Sequence, residues 1–64
     1  MNSIGNTAGE VWQYLQSNGE VTTAKLIRDV GEHRDLVQRA IGWLAREDKV
    51  HVERVKRGER IRLL

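Results

Sequence analysis

The sequence predicts an α+β fold in which three helices and a short extended segment precede a two-stranded antiparallel hairpin. Two observations indicate this arrangement. Apolar residues recur at spacings of three and four up to residue 46, and from residue 50 onward they alternate with polar residues. Because the chain has only 64 residues, which suits one hydrophobic core, we expect a single domain over residues 1–64.

The first predicted helix has one apolar stripe. A capping box beginning at Thr7 favours a helix start there, with Ser3 or Asn6 as earlier alternatives, and Asn18-Gly19 is a natural stop. We expect Trp12 to lie in the core with the rest of the stripe. The stripe consists of Ile4, Ala8, Val11, Trp12 and Leu15.

The next two helices are short and close together. After an extended segment at residues 20–22, Thr22 is placed to cap a second helix, Val21 and Leu26 match a hydrophobic staple, and Gly31 ends the helix. A turn then leads to a third helix, predicted over residues 34–47. Two short helices around a tight turn with a glycine are typical of a helix-turn-helix motif. The inner face of the third helix comprises Val37, Ala40, Ile41 and Leu44.

The last segment has the period of two that is typical of strands. Val50–Val55 and 60–64 are the predicted strands, and the intervening Lys56-Arg57-Gly58-Glu59 is the predicted turn. An isolated hairpin is only marginally stable in water. The apolar face of this one is therefore expected to pack on the helices.

This order of elements and the run of residues 36–50 resemble the winged helix-turn-helix superfamily. Ala40, Ile41 and Leu44 match its third-helix pattern, and Asp48 stands where glycine is usual, a position that aspartate tolerates. The Thr7-Ala8-Gly9 start, Trp12 and residues 41–47 are most similar to a family of small, free-standing bacterial winged-helix proteins of unknown function. The resemblance implies a winged helix and, by analogy, DNA binding.

The charge is distributed unevenly along the chain. The formal net charge is +2, but residues 1–33 carry two basic and four acidic side chains, a net charge of −2. Residues 34–64 carry nine basic and five acidic side chains, a net charge of +4. Any polyanionic partner is therefore expected to meet the C-terminal half.

In the manner usual for winged helices, the third helix would enter the major groove of double-stranded DNA, and the wing, residues 54–62, would contact the backbone or the minor groove. Arg39 suits a guanine and Gln38 an adenine, whereas Arg34 and Arg46 suit phosphates. The alternatives are a solvated helix face and strand cations that only prevent sheet aggregation. The candidate nucleic-acid-binding residues are Arg34, Gln38, Arg39, Arg46, Arg54, Lys56, Arg57, Arg60 and Arg62.

A second hypothesis assigns the chain to protein-protein interaction without DNA. Leu36, Gly42 and Trp43 are a possible interface, for a homodimer or a protein partner, that would act together with the wing. Glycine inside a helix costs about 1 kcal/mol relative to alanine, so Gly42 suggests a close approach by another backbone. The simpler interpretation, which we favour for Trp43, is that it covers the edge of the core.

Other classes of function find no support in the sequence. There is no cysteine, His33 and His51 have no ligand-like neighbours, and no nucleophile motif or phosphate loop is present. We expect no enzymatic activity, no cofactor, no metal and no small-molecule ligand. With neither a long apolar run nor a signal peptide, a cytoplasmic protein without membrane contact is expected, in a transcription-regulation context.

Overall fold

The computed structural model describes residues 4–64. Over this range three helices and three strands form the α+β fold that the sequence predicts. The strands make one antiparallel sheet in the order β1-β3-β2, so that the short first strand lies beside the C-terminal hairpin. The elements are α1 (Ile4–Asn18), β1 (Val21–Thr22), α2 (Thr23–Val30), α3 (Arg34–Arg46), β2 (Val50–Val55) and β3 (Gly58–Leu63).

Helix α1 is longer at its N-terminus than the predicted start at Thr7. Residues from Ile4 onward are helical, so Thr7 and Asn6 lie inside the helix and neither is its cap; the alternative cap, Ser3, lies outside the described residues. Thr7 is fully buried beside Ala8, and its hydroxyl has no hydrogen-bond partner in the described structure. Its methyl group extends the apolar stripe by one residue, which explains why the side chain faces inward rather than capping.

The boundaries of α2 match the sequence prediction. The Thr22 hydroxyl accepts a hydrogen bond from the Lys25 backbone N–H at 3.1 Å, so Thr22 is the N-cap. Gly31 ends the helix in the left-handed conformation, with φ of 79°. Helix α3 ends at Arg46, one residue before the predicted end, and Asp48 has a left-handed φ of 59°, as its place in the turn requires.

The hairpin turn is tighter than predicted. Strand β3 begins at Gly58 rather than Arg60, because Gly58 already pairs with Val55 and leaves only Lys56 and Arg57 in the turn. The positive φ of Gly58, 104°, is a conformation that side chains rarely adopt. The wing is therefore slim, with two basic residues at its tip.

One core joins the helices to the inner face of the sheet. Ile61 lies on the central strand between Val21 and Val52, and it is completely buried. The predicted inner face of α3 is confirmed. The buried apolar residues are Ala8, Val11, Leu15, Val21, Leu26, Val37, Ala40, Ile41, Leu44, Val50 and Ile61.

Trp12 is not a core residue, contrary to the sequence prediction. It is 37% exposed. At 100° per residue, Trp12 projects well to one side of a stripe centred on Ala8, Val11 and Leu15, so only one side of the indole reaches the core. Its other side lines the surface between α1 and α3.

A polar cluster on the surface ties α1 to α2. The Tyr14 hydroxyl donates to a carboxylate oxygen of Asp29 at 2.6 Å, and the Lys25 ammonium lies 2.6 Å from the same oxygen. The hydrogen bond from Lys25, and then that from Tyr14, lower the pKa of Asp29 to about 2. The same hydrogen bonds to Asp29 raise the pKa of Tyr14 and of Lys25.

Candidate nucleic-acid interface

The outward face of α3 is polar along its whole length. The buried residues define the inner side, and the 3.6-residue period places Asp35, Arg39, Gly42 and Arg46 on the opposite side. All four are exposed. Arg34 and Gln38 lie on the side of the helix that turns toward the wing.

A polar groove of about 400 Å³ separates this side of α3 from the wing. Arg34 and Gln38 line it from α3, and Arg54 and Lys56 line it from β2 and the turn. The two pairs are at least 16 residues apart in the chain. Strand alternation explains the placement, because Arg54 shares the inward face of β2 with Val50 and Val52 but lies beyond the core.

The cations around the groove and on the ridge of α3 are free of internal salt bridges. Within residues 4–64, the ion pairs of the lysine and arginine side chains are Lys25–Asp29, Arg28–Asp29 and Arg60–Glu20. Folding therefore leaves a further set of cations exposed, without an ion-paired carboxylate among the described residues. The members of this set around the groove and on the ridge of α3, called the free cations, are Arg34, Arg39, Arg46, Arg54, Lys56 and Arg57; Lys49 and Arg62 also belong to the set but lie on other surfaces.

Arg60 and Arg62 face away from this groove. They alternate with Ile61, which points into the core, so both stand on the outer face of the sheet. Arg60 lies in the central strand and its Nε donates to a carboxylate oxygen of Glu20 at 2.7 Å. Protection of a sheet edge does not explain Arg60, because strands flank it on both sides; Arg54, on the outer strand β2, fits that explanation better.

Glu59 and Thr23 also line the groove, and neither was predicted from the sequence as a site residue. Glu59 is half-buried and lies opposite Arg54 in the hairpin register. The alternation that placed Arg60 and Arg62 outward also places Glu59 inward, and this signal was available in the sequence. Thr23 reaches the groove only through packing of α2, for which no local pattern exists.

The possible interface residues lie on two different surfaces. Trp43 lines a groove of about 310 Å³ between α3 and α1, where Trp12 and the small residues Gly5 and Gly9 also lie. Of Trp43 itself 46% is exposed, and the interpretation that it covers the edge of the core stays a prediction. Gly42 lines a separate groove beside the sheet. Leu36 is half-buried.

Known proteins resemble this chain in sequence and in structure. A family model described as a winged helix-turn-helix domain, DUF2582, matches residues 1–63. The chain belongs to this family. The winged-helix assignment made from the sequence is thus confirmed.

Two similar proteins extend the comparison. An uncharacterized protein of the archaeon Methanocaldococcus jannaschii, MJ1608, is 44% identical over 52 residues, which cover 77% of this chain and 73% of that protein. This relative is archaeal, whereas the sequence resemblance pointed to bacterial proteins. Among solved structures, the Zalpha domain of Carassius auratus PKZ, crystallised in complex with Z-DNA, superposes with a TM-score of 0.85 at 17% identity. The match covers 98% of this chain and 100% of that domain, and it shows a shared fold.

Across the described part of the chain, no three His, Asp or Glu side chains are grouped so that they could hold a metal ion. None of the helices between residues 4 and 64 is long and apolar enough to span a bilayer.

Proposed function

We propose that this winged helix binds double-stranded DNA through α3 and the wing. The observation that supports this is the convergence of Arg34 and Gln38 with Arg54 and Lys56 around one polar groove. A solvated helix face explains cations on α3 but gives no reason for cations of the wing to line the same groove. A polyanion that lies along both elements would contact all of them.

The dimensions and chemistry of α3 fit the major groove. An α-helix with its side chains is about 10–12 Å across, and the major groove is about 12 Å wide and admits a helix. Arg39, on the outward ridge, can donate two hydrogen bonds to a guanine, and Gln38, on the side toward the wing, can pair with an adenine. Arg34 and Arg46, near the two ends of α3, are placed for phosphates.

The wing supplies the second group of phosphate contacts. Lys56 and Arg57 form the two-residue turn at its tip, and Arg54 lies one step behind them on the inward face. We assign these three to the DNA backbone next to α3. The proposal does not rely on Arg60 or Arg62, because their side of the sheet is turned away from the groove.

Glu59 is the acidic exception in this cationic groove. A carboxylate there repels phosphates, and it also accepts a hydrogen bond from the amino group of a cytosine. The repulsion lowers affinity for every sequence, whereas the hydrogen bond raises affinity only for a site that has a cytosine at this place. Asp35 repels phosphates too, but its place in the first turn of α3 is favourable for the helix dipole.

The experiment is a fluorescence anisotropy titration of a labelled duplex of about 20 base pairs, which leaves room for one docked helix and its wing. We expect binding at low salt that weakens as salt rises. Arg54→Glu should abolish most of the binding, whereas Arg62→Glu, with the same change in net charge on the outer face, should have a much smaller effect. Equal loss in both variants, or no binding by the wild type at low salt, would contradict the proposal.

A second candidate function has its own observation. Trp12 and Trp43, both partly exposed, line one groove between α1 and α3 together with two glycines and an alanine of α1. Exposed aromatic side chains around a small depression are typical of protein interfaces. Sedimentation of the wild type and of Trp43→Ala over a range of concentrations tests self-association there, and a strictly monomeric wild type removes the homodimer.

A further inference from the structure

Gly42 lies on the outermost ridge of α3, between two of the free cations. Arg39 precedes it by three residues and Arg46 follows it by four, so all three project from the side opposite the buried residues. Both arginines are exposed, as is Gly42 itself. The ridge therefore lacks a side chain at Gly42, and the guanidinium groups of two arginines flank this gap.

The fold of the chain does not require a glycine at this position. A Cβ built at Gly42 meets nothing within 4 Å apart from its chain neighbours and the backbone of its own helix. The backbone there is helical, unlike that of Gly31 and Gly58, whose positive φ angles favour glycine. Alanine is the better residue in the middle of a helix. Gly42 thus weakens α3 with no compensating contact among residues 4–64.

We infer that Gly42 is a contact point where the DNA of the proposed function approaches the backbone of α3 within van der Waals distance. The absent side chain lets the base edges of the major groove come closer to the helix axis than a ridge of ordinary side chains allows. The flanking Arg39 and Arg46 can then reach bases and phosphates on either side. This inference rests on the proposed function and adds one specific contact residue to it.

Gly42 also lies apart from the tryptophan groove. Trp43 and Trp12 line the surface between α1 and α3, and Gly42 lines the surface next to Gln38 and Val52. A protein partner seated on the two tryptophans would therefore be centred on another side of α3. Gly42→Ala therefore changes the surface proposed to contact DNA and leaves the tryptophan groove unchanged. Measurements of DNA binding and of self-association on this one variant distinguish the two surfaces.

The test compares Gly42→Ala with a matched control, Gly9→Ala. Gly9 is also exposed within a helix, α1, and a Cβ there also meets nothing within 4 Å; it lines the tryptophan groove, so Gly9→Ala is a control for DNA binding and not for self-association. Both substitutions should raise the melting temperature, by about 4 °C each, because both replace a helical glycine with alanine. Only Gly42→Ala should weaken duplex binding, by about tenfold, which is the effect of one methyl group forced into a close-packed contact.

The results separate this inference from the proposed function. If the wild type binds the duplex and Gly42→Ala binds equally well, the inference is overturned and the proposed function stands. If Gly42→Ala changes sedimentation and leaves DNA binding intact, the surface at Gly42 belongs to a protein interface, and the inference is again overturned. If the wild type does not bind at low salt, both fail. Weaker binding by a more stable Gly42→Ala protein, with Gly9→Ala unchanged, supports the inference.

Discussion

The salt dependence of DNA affinity should identify which cations contact phosphates. Each neutralised phosphate of a duplex contributes about 0.9 to the slope of log affinity against log salt. With Arg39 assigned to a base, five of the free cations remain for phosphates, and the wild-type slope should be about −4.5. Between 50 and 200 mM salt this slope corresponds to a loss of about 500-fold in affinity. The five are Arg34, Arg46, Arg54, Lys56 and Arg57.

The perturbation is the double variant Arg34→Ala/Lys56→Ala, which removes one cation from each side of the groove. Its slope should fall to about −2.7, so that the same change in salt costs only about 40-fold. Arg62→Ala, on the outer face of the sheet, should retain the wild-type slope. Anisotropy titrations at four salt concentrations give all three slopes, and circular dichroism verifies that each variant is folded.

Two results would refute this reasoning. A double variant with the wild-type slope would mean that the groove is not where phosphates bind. If Arg62→Ala lowers the slope to the value expected after loss of one contact, the outer face of the sheet also touches DNA, and the division of the cations into two faces is wrong.

Three further outcomes are expected. Arg39→Ala should lower affinity for a preferred site by about 1–3 kcal/mol and relax the base preference, as binding-site selection would show; equal loss on every sequence would exclude base reading. Thr7→Val should raise the free energy of unfolding in urea by about 1 kcal/mol, because it removes a buried hydroxyl that has no hydrogen-bond partner among residues 4–64; destabilisation would mean the hydroxyl is satisfied. The lowered pKa of Asp29 stabilises the fold above its ordinary pKa of 3.8, and this contribution should be lost as pH falls toward 2; an Asp29→Asn variant with the wild-type acid profile would contradict it.

Much of the fold could be predicted because local rules and packing agree. Thr22 at the start of α2 and Gly31 at its end are strong local signals, and both act as caps in the structure. The alternation over Val50–Val55 identified both the strand and its inward face. The winged-helix resemblance also predicted the order of the helices and strands, and this order matches the structure over residues 4–64.

The wrong predictions arise where the periodicity shows which side of an element is apolar but not how deeply each residue on that side is buried. Trp12 is on the apolar side of α1, yet no pattern in that helix says how far α3 extends to cover it. The capping signature at Thr7 was outweighed by burial of its methyl group. Gly58 was assigned to the turn because glycine is typical of turns, whereas its position in the ladder depends on pairing with Val55.

The residue types of the candidate site could be predicted from the sequence, but their arrangement in space could not. Basic side chains of the third helix and the wing were identified from the sequence alone. That Arg34 and Lys56 face each other across one groove while Arg60 faces elsewhere depends on how the hairpin docks on α3. The inward position of Glu59 follows from strand alternation, but the docking brings it into the groove, which is therefore mixed in charge and not uniformly basic.

Mapping of a duplex onto the protein by amide chemical shifts, at low and at moderate salt, addresses the proposed mode of binding. We predict shift changes confined to residues 34–46 and 54–59 that shrink as salt rises, with little change at the side-chain indole N–H of Trp12. Changes centred on the residues of α1 around Trp12 would contradict the account and favour the protein-interaction surface. No changes at low salt would show that this winged helix does not bind duplex DNA.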